Sequence, residues 1–441
     1  MKADKVILFL LLAIAIASCK PEIDAFEPAA GNADFAKYIA LGNSLTSGYR
    51  DGDLFLSGQK YSYPNLIAQQ LKLVGGGEFT QPLMFDELGF GKKLVLNLNP
   101  VRDCSGEIVP GANPSLAPIP YNLLDPKAPD PKNFSNIEEY WTTNNLGVPG
   151  AKSFHLLLPF YGLANPYFAR FARNVSQVSI LEQAISLNPT FFTLWIGNND
   201  VLTYALAGGE ADSLTSVPTF TLAYSTIINT LTSNGAKGAV ANIPDITSIA
   251  YFTTFPYNAL VLTDQAQVDA LNAAYSALGI TFSLGANGLI VQDPSAPGGM
   301  RQIKSSELVL LSLPQDSIKC KGWGSAIPVP DKYFLSEDEI ADIKNATNEY
   351  NTIISNIADS KGLAYVDANA MLKSAKSGLV FDGAKYSAAY ISGGINSLDG
   401  IHLTPRGNAL VANYFIQAIN AKYKANIPLV DLNDYPGIPF P

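Results

Sequence analysis

The segment YIALGNSL at residues 38–45 combines a short apolar run with a Gly-Asn-Ser-Leu turn. An apolar run of this length that ends in glycine predicts a buried β-strand over 38–42. Ser44 then follows the carboxyl end of that strand, which is where open α/β sheets bind their ligands. The alternative is an ordinary strand-to-helix turn in which Ser44 caps the next helix. The turn is not a Gly-x-Ser-x-Gly nucleophile elbow, because Thr46 stands at the position of the second glycine.

Strand and helix patterns alternate along the rest of the chain. Apolar runs predict buried strands over 191–197, 238–245 and 362–367. The spacing of apolar residues predicts helices over 64–73, 178–187, 219–232, 266–278, 336–359 and 406–423. Residues 100–131 contain eight prolines, so no regular element is expected there. Strands separated by helices indicate an α/β fold with a mostly parallel sheet that is covered on both faces.

Three later segments carry groups that are suited to catalysis. Gly150 ends the loop NLGVPG and can present an unobstructed backbone N–H, although glycine is common in any loop. Asn199 follows the strand predicted over 191–197, where its amide can donate into a site or cap a turn. Asp399 precedes His402 by three residues, a spacing that lets a carboxylate fix the tautomer of an imidazole. The other histidine, His155, has no carboxylate near it in sequence and is interpreted as structural.

These segments, in this order, resemble the sequence blocks of the SGNH/GDSL hydrolase family. The first block is matched with Asn43 in place of the more usual aspartate, a change that leaves the nucleophile intact. The wider stretches YIALGNSLTSGY, NLGVPGAK and DGIHLTPRG are similar to exported lipoprotein members of the family. The matching functional residues are Ser44, Gly150, Asn199, Asp399 and His402.

The resemblance implies a three-layer α/β/α flavodoxin-like domain that hydrolyses carboxylic esters without a metal or cofactor. It implies Ser44 as the nucleophile, His402 as the general base and acid, and Asp399 as the group that orients the imidazole. It further implies an oxyanion hole made by the N–H groups of Ser44 and Gly150 and by the side chain of Asn199.

The distances along the chain between these blocks exceed those of the family core. We therefore expect a hydrolase domain over 36–425 with long insertions near 75–140 and 246–335, and a C-terminal tail over 426–441. Insertions of this kind are expected to set substrate choice, since they add surface around an unchanged core.

Composition and charge exclude several other classes of function. The chain has 29 Lys and Arg against 38 Asp and Glu, a net charge of −9, so it lacks the basic footprint of a nucleic-acid-binding protein. It has three cysteines and two histidines, and neither a C-x-x-C nor an H-E-x-x-H motif is present. No metal site and no nucleic-acid partner are therefore expected. The sequence does not indicate an oligomeric state.

The N-terminus has the pattern of an exported lipoprotein. Lys2 and Lys5 precede an apolar run over 6–17, which is too short to span a bilayer and is typical of a signal peptide. The segment ends in Ile-Ala-Ser-Cys, which resembles a lipobox with Cys19 as the lipidated residue. The alternative is ordinary secretory cleavage. Residues 1–19 are thus predicted to be a signal peptide and 20–35 a tether, with the protein anchored through lipid to the cell envelope, at the outer membrane of a Gram-negative bacterium.

Export also changes what the remaining cysteines can do. An oxidising compartment permits a disulfide between Cys104 and Cys320. Two buried free thiols are the alternative, because the sequence does not give the distance between them.

The predicted function is hydrolysis of an exported ester, either an acylated lipid or an acetylated glycan. Two alternatives stay open at this point. A surface lipoprotein that binds glycan without catalysis would not need the complete residue set, and an acyltransferase would use the same residues with an acceptor other than water.

Overall fold

A computed structural model describes residues 26–110, 117–381 and 383–438. At its centre lie five parallel strands. In chain order they are β1 (Tyr38–Gly42), β2 (Asn145–Gly147), β3 (Phe191–Trp195), β4 (Lys237–Ala241) and β5 (Ala364–Val366). Their order across the sheet is β2-β1-β3-β4-β5, which is the flavodoxin-like arrangement. The predicted α/β class and parallel sheet are confirmed.

Strand β3 shows why the sheet is covered on both faces. All five of its residues are buried. The indole ring of Trp195 meets the rings of Tyr63 and Phe415 edge-on, with centroids 5.7 and 6.3 Å away. Side chains alternate along a strand, so Phe192 and Leu194 point to the opposite face, where they are also buried. An apolar run with no polar alternation is therefore the expected sequence for this strand.

The α-helices of the described residues are α1 (Ser44–Ser47), α2 (Leu56–Lys60), α3 (Tyr63–Lys72), α4 (Tyr161–Ala164), α5 (Pro166–Ala169), α6 (Ile180–Ser186), α7 (Asn198–Leu206), α8 (Val217–Thr232), α9 (Ala250–Thr253), α10 (Gln265–Tyr275), α11 (Gln315–Cys320), α12 (Glu337–Lys361), α13 (Ala368–Ser377) and α14 (Pro405–Tyr423). Helices α3 and α14 pack together through Tyr63 and Phe415, whose rings stack 5.0 Å apart. Helices α8 and α12 pack together through Phe220 and Tyr350, whose rings stack 4.1 Å apart.

Helix α12 begins and ends at residues that the sequence marks. Ser336 is its N-cap and accepts a hydrogen bond from the Glu339 backbone N–H, while the Glu339 carboxylate accepts one from the Ser336 N–H. This reciprocal capping box satisfies two donors that a helix start otherwise leaves unpaired. Gly362 ends the helix in a left-handed conformation, with φ of 63°.

Five short antiparallel strand pairs lie outside the central sheet in the described residues. They are Leu94–Leu96 with Pro118–Pro120, Leu260–Leu262 with Gly285–Asn287, Ile290–Gln292 with Met300–Gln302, Leu308–Val309 with Phe334–Leu335, and Leu379–Phe381 with Ala384–Tyr386. Three of the pairs lie inside the insertion predicted near 246–335, which has buried apolar clusters of its own.

The expectation that residues 100–131 form no regular element is wrong at Pro118–Pro120. This strand pairs with Leu94–Leu96, and the hydrogen bonds flanking the pair are made by Ala117 and Tyr121. Pro118 and Pro120 fall between those bonding positions, so neither proline has to donate an N–H to the ladder.

The predicted tether and tail boundaries also need correction. Within the predicted tether 20–35, Ala29 exchanges two backbone hydrogen bonds with Asn426, and Phe35 is only 2% exposed. Within the predicted tail 426–441, Val430 is bound at both its N–H and carbonyl by the Asn413 side chain, and Leu432 is fully buried. The described parts of these segments, residues 26–35 and 426–438, pack on the domain through backbone pairing and single buried side chains, which leave no periodic pattern in the sequence.

The predicted signal peptide 1–19, with Cys19, lies outside the described residues. Among the residues that are described, no helix is both long enough and apolar enough to cross a bilayer.

Phe35 gives a direct test of the corrected N-terminal boundary. Its ring packs edge-on against Phe191 with centroids 4.8 Å apart. We predict that Phe35→Ala lowers the free energy of unfolding by about 3–5 kcal/mol, because it leaves a cavity in the core. Phe26→Ala, at a side chain that is 57% exposed, is the control and should change the free energy of unfolding little. Equal, small effects of the two variants in urea unfolding would show that 26–35 is a free tether.

Candidate active site

Ser44 lies where the sequence predicts, directly after the carboxyl end of β1. It is the first residue of α1, and the helix cap is Asn43, whose side-chain oxygen accepts a hydrogen bond from the Leu45 N–H over 3.0 Å. The Asn43 amide also donates to the Asn198 side chain, which ties this turn to the turn after β3. Gly42 is required here, because a Cβ atom would lie 2.5 Å from the Trp195 carbonyl oxygen. The side chain of Ser44 is thus free of a capping role.

His402 lies between Ser44 and Asp399. Its Nε2 is 2.8 Å from the Ser44 hydroxyl oxygen, and its Nδ1 is 2.8 Å from a carboxylate oxygen of Asp399. The ring of Tyr49 packs against the imidazole with centroids 4.6 Å apart. The structure therefore joins three of the residues that the sequence singles out, although 358 positions separate Ser44 from His402.

Asp399 is held as an ionised acceptor. One of its oxygens accepts the backbone N–H groups of Ile401 and His402 over 2.9 and 2.8 Å, and the other accepts the Gly52 N–H over 2.9 Å. Burial acts to raise the pKa of Asp399, but the charge of His402 and these hydrogen bonds outweigh it and hold the pKa well below its usual value. An ionised Asp399 keeps the proton on Nδ1 of His402, so Nε2 faces Ser44 with its lone pair.

A second set of contacts locks the Asp399 loop to the segment that follows α1. Asp51, buried and with a left-handed φ of 51°, accepts the Leu398 N–H over 2.9 Å and pairs with Arg50. The Asp51 N–H donates to the Ser397 hydroxyl, which itself donates to Asp399 over 3.1 Å. Sequence reasoning missed this arrangement, and its only signal is that each residue is a near neighbour of Ser44 or Asp399 in the chain.

Tyr49 was missed as well. Its hydroxyl donates to the Gly52 carbonyl, beside the N–H that Gly52 gives to Asp399. Burial, followed by the neighbouring Tyr167, raises the pKa of the Tyr49 hydroxyl far above its usual value, so it stays a protonated donor.

Three hydrogen-bond donors come from residues that line the same cavity and follow the ends of β1, β2 and β3. The backbone N–H groups of Ser44 and Gly150 make no hydrogen bond to any described residue. Gly150 has φ of +80°, a conformation that side chains disfavour. Asn199, in the first turn of α7, gives one amide hydrogen to the Ala151 carbonyl over 2.9 Å, which leaves the second available.

Ser44, Gly150, Asn199, Asp399 and His402 all line one cleft of about 1770 Å³. Tyr167 and Tyr251 also line it, whereas Phe168, Phe171 and Phe252 are buried in the core. The cleft therefore lies at the carboxyl edge of the sheet, around the point between β1 and β3 where the strand order reverses. No group of three or more potential metal ligands occurs among the described residues.

His155 lies apart from this cleft. Its Nδ1 accepts the Lys152 N–H over 3.0 Å, and its ring stacks on Tyr161 with centroids 4.4 Å apart. Burial, aided by the charge of Lys152, lowers the pKa of His155 to about 4. It is a neutral, packed side chain that accepts a local hydrogen bond.

Cys104 and Cys320 form a disulfide with Cα atoms 5.3 Å apart. Of the two alternatives that the sequence left open, the structure contains the bridge. It joins the first insertion to the second.

A flavodoxin-like sheet whose carboxyl edge carries a hydrogen-bonded serine, histidine and aspartate is typical of SGNH hydrolases. The family model "GDSL-like Lipase/Acylhydrolase" matches residues 38–415. The chain belongs to this family, and it is a hydrolase that acts on ester bonds.

Solved structures are similar to the chain in fold alone. They include the lipase/acylhydrolase from Enterococcus faecalis, at 11% identity and a TM-score of 0.33, which covers 89% of this chain and 100% of its own. The extracellular lipase from Streptomyces rimosus shows 11% identity and a TM-score of 0.32, over 87% of this chain and 98% of its own. LAE5, an α/β hydrolase from the metagenome of Lake Arreo, shows 12% identity and a TM-score of 0.36, over 88% of this chain and 96% of its own. No curated protein sequence matches the chain.

The low pKa of His155 predicts a pH dependence of stability. The folded protein keeps this imidazole neutral down to about pH 4, whereas the unfolded chain protonates it near pH 6.5. The contribution of the neutral His155 side chain to the free energy of unfolding is therefore fully present above about pH 6.5, and it is lost as the pH falls toward about 4. We expect His155→Gln to flatten that part of the stability curve relative to wild type. Urea unfolding at several pH values measures this, and parallel curves would contradict it.

Proposed function

We propose that the chain is a serine esterase in which Ser44, His402 and Asp399 act as a catalytic triad. The observation that carries the proposal is the pair of 2.8 Å contacts that His402 makes, one to the Ser44 hydroxyl and one to a carboxylate held ionised by its own hydrogen bonds. A serine hydroxyl is a weak nucleophile until a neighbouring base takes its proton. This geometry provides the base, and Asp399 fixes the tautomer that the base needs.

The reaction proceeds in two steps. The Ser44 oxygen attacks the acyl carbon while His402 Nε2 takes the hydroxyl proton. The bond to the alcohol oxygen then breaks, and His402 returns that proton to the leaving alcohol. Water attacks the acyl-enzyme and gives a proton to His402, and the carboxylic acid leaves as Ser44 regains its proton. Each proton passes through one nitrogen atom, so the histidine does not need to move between steps.

The developing oxyanion is stabilised by the backbone N–H groups of Ser44 and Gly150 and by the side chain of Asn199, residues that line one cavity. The N–H groups of Ser44 and Gly150 are unpaired within the described chain, and Asn199 has a spare amide hydrogen. Preorganised donors of this type act on charge that appears only in the transition state. A side chain on Gly150 would strain the backbone at this point, which supports a role for its N–H.

We further propose that the enzyme works at the cell envelope, anchored by lipid on Cys19. The support is the sequence alone: a basic start, an apolar run over 6–17 and a lipobox-like end. The ester is an acylated lipid or an acetylated glycan at that location.

Hydrolysis of p-nitrophenyl acetate tests the triad. Ser44→Ala and His402→Ala should each lose nearly all turnover, by at least about 10³-fold, since each removes a member of one unit. His155→Ala is the matched control at the only other histidine and should retain normal turnover at neutral pH. If His155→Ala is the inactive histidine variant, or if His402→Ala turns over normally, the triad assignment is wrong.

Asn199 is tested by separating kcat from KM. Asn199→Ala should lower kcat by about 10²–10³ with little change in KM, because its donor is aimed at transition-state charge. Asn199→Asp keeps the shape but places a carboxylate near the oxyanion, so it should be at least as damaging. An unchanged kcat in Asn199→Ala would limit this residue to its contact with Ala151.

Lipidation is tested by fractionation of cells that express the full chain. Wild type should take up labelled palmitate and sediment with membranes, since acyl chains on a cysteine supply a stable anchor. Cys19→Ala should take up no label and leave the membrane fraction. An unlabelled wild type together with a variant that still sediments would contradict the anchor.

A further inference from the structure

The N-terminal segment joins the domain at the edge of the sheet that lies opposite the cleft. This side, here named the amino edge, consists of residues 26–37, 72–78, 187–190, 232–238, 358–363 and 420–426, which precede the strands or end the helices. The Glu27 carbonyl accepts a hydrogen bond from the Asn426 side chain over 2.6 Å, and Ala29 pairs with the Asn426 backbone. Asn426 follows the end of α14, where the Tyr423 hydroxyl donates to the Gly238 carbonyl at the start of β4.

Several further contacts hold the same segment to the amino edge. The Asn32 N–H donates to the Tyr423 carbonyl over 2.7 Å, and the Asn32 carbonyl accepts a hydrogen bond from the Lys237 ammonium group. Phe35 is then buried in the core. Glu27 is the first of these bound residues in chain order. A lipid anchor that precedes Glu27 therefore holds the protein by its amino edge.

The proposed anchor is close to this attachment in sequence. Glu27 is the eighth residue after Cys19. Eight fully extended residues span at most about 29 Å. A compact domain of about 400 residues has a radius of gyration of about 22 Å, which corresponds to about 55 Å across. The chain from Cys19 to Glu27 is thus too short to pass around the domain and bring its opposite edge onto the bilayer.

The cleft lies at that opposite edge. Ser44, Gly150 and Asn199 line it, and they follow the carboxyl ends of β1, β2 and β3. The cleft side also has exposed apolar side chains: Leu98 is exposed and lies between two residues that line the cavity. Exposed apolar groups can dock on a lipid surface, but the reach of the chain separates these from the bilayer that holds the anchor.

The amino edge itself carries side chains that suit a lipid surface. Six exposed lysines and four exposed acids lie in its segments, within a chain whose net charge is −9. The lysines are Lys37, Lys72, Lys237, Lys361, Lys422 and Lys424. Phe26 and Leu73 are apolar and more than half exposed. Lysines also favour helix C-termini because of the helix dipole, so the short connection to Cys19 is the stronger evidence for which edge faces the membrane.

We propose that the anchored enzyme holds its amino edge toward the membrane and its cleft toward the aqueous phase, and that it hydrolyses esters that project away from the bilayer. The inference rests on the proposed function, both the esterase and the lipid on Cys19. Of the two substrate classes it selects the acetylated glycan. An ester on a soluble or extended glycan reaches the cleft, whereas an ester in the leaflet that holds the anchor lies on the far side of the domain.

Quenching by the bilayer tests the orientation. The lipidated full chain is reconstituted into vesicles whose lipids carry a nitroxide on the headgroup, with a fluorophore on one introduced cysteine. Leu73→Cys places the fluorophore at the amino edge, and Leu98→Cys places it beside the cleft. We expect the fluorophore at position 73 to be quenched and the one at position 98 to keep its intensity. Adding Cys19→Ala to the Leu73→Cys protein is the control and should abolish the quenching.

An acetyl ester attached to a lipid headgroup tests the consequence for the substrate. A short linker keeps the ester at the bilayer surface, and a flexible linker of about 100 Å lets it extend past a domain about 55 Å across. Wild type on the same vesicles should hydrolyse the long-linker ester at least about tenfold faster, because the short linker cannot span the distance to the cleft. Cys19→Ala, free in solution, is the control and should hydrolyse both esters at similar rates.

A longer tether should remove this difference. A flexible Gly-Ser insertion of about 20 residues after Pro21 lets the domain turn over on the bilayer. The variant should hydrolyse the short-linker ester at a rate closer to that of the long-linker ester, and its rate with p-nitrophenyl acetate should equal that of wild type.

Three results would overturn the proposal. They are quenching at position 98 that equals or exceeds quenching at position 73, wild-type hydrolysis of the short-linker ester as fast as the long-linker ester, and a difference between the esters that the insertion leaves unchanged. Failure of the underlying function looks different. Without esterase activity, wild type and Ser44→Ala would turn over p-nitrophenyl acetate equally, and without the lipid, wild type would not associate with the vesicles.

Discussion

The carboxylate of Asp399 is the group on which the geometry of the candidate active site depends. It is buried, and a buried carboxylate is stable as an ion only if hydrogen bonds and a nearby charge replace the water it has lost. Its backbone partners come from two distant parts of the chain: its own loop at Ile401 and His402, and Gly52 in the segment after α1. Satisfying this single group therefore brings the segment that carries Ser44 and the loop that carries His402 to a fixed distance.

Asp51 and Ser397 extend the same constraint. The Asp51 N–H donates to the Ser397 hydroxyl, and the Asp51 carboxylate accepts the Leu398 N–H. The turn after α1 and the loop before α14 are therefore held together at more than one point. The carboxyl edge of the sheet supplies the remaining groups, because β1, β2 and β3 end side by side. The strand order thus brings the residues of the site together, and the Asp399 carboxylate aligns the loops that follow the strands.

Much of the fold was predictable from the sequence, because the features that decide it are local. The strand at Tyr38–Gly42 is an uninterrupted apolar run, and α12 (Glu337–Lys361) lies within two residues at each end of the helix predicted over 336–359. The spacing of Asp399 and His402 is likewise a local signal. Ala29 and Leu432 were misjudged because their attachment depends on partners far away in sequence. The contacts of Asp51 were out of reach for the same reason, and the sequence could not decide between a Cys104–Cys320 disulfide and two free thiols, because the distance between the cysteines is defined only once the chain has folded.

The central claim is that Ser44 is a nucleophile activated by His402, and covalent capture tests it most directly. A fluorophosphonate probe forms a stable adduct with an activated serine, and mass spectrometry of the digested protein identifies the modified residue. The account predicts one adduct, on Ser44, in wild type, and labelling that is slower by orders of magnitude in Asp399→Ala, where the imidazole loses its orienting carboxylate. An adduct on another serine, or equally rapid labelling of Ser44 in both proteins, would contradict it.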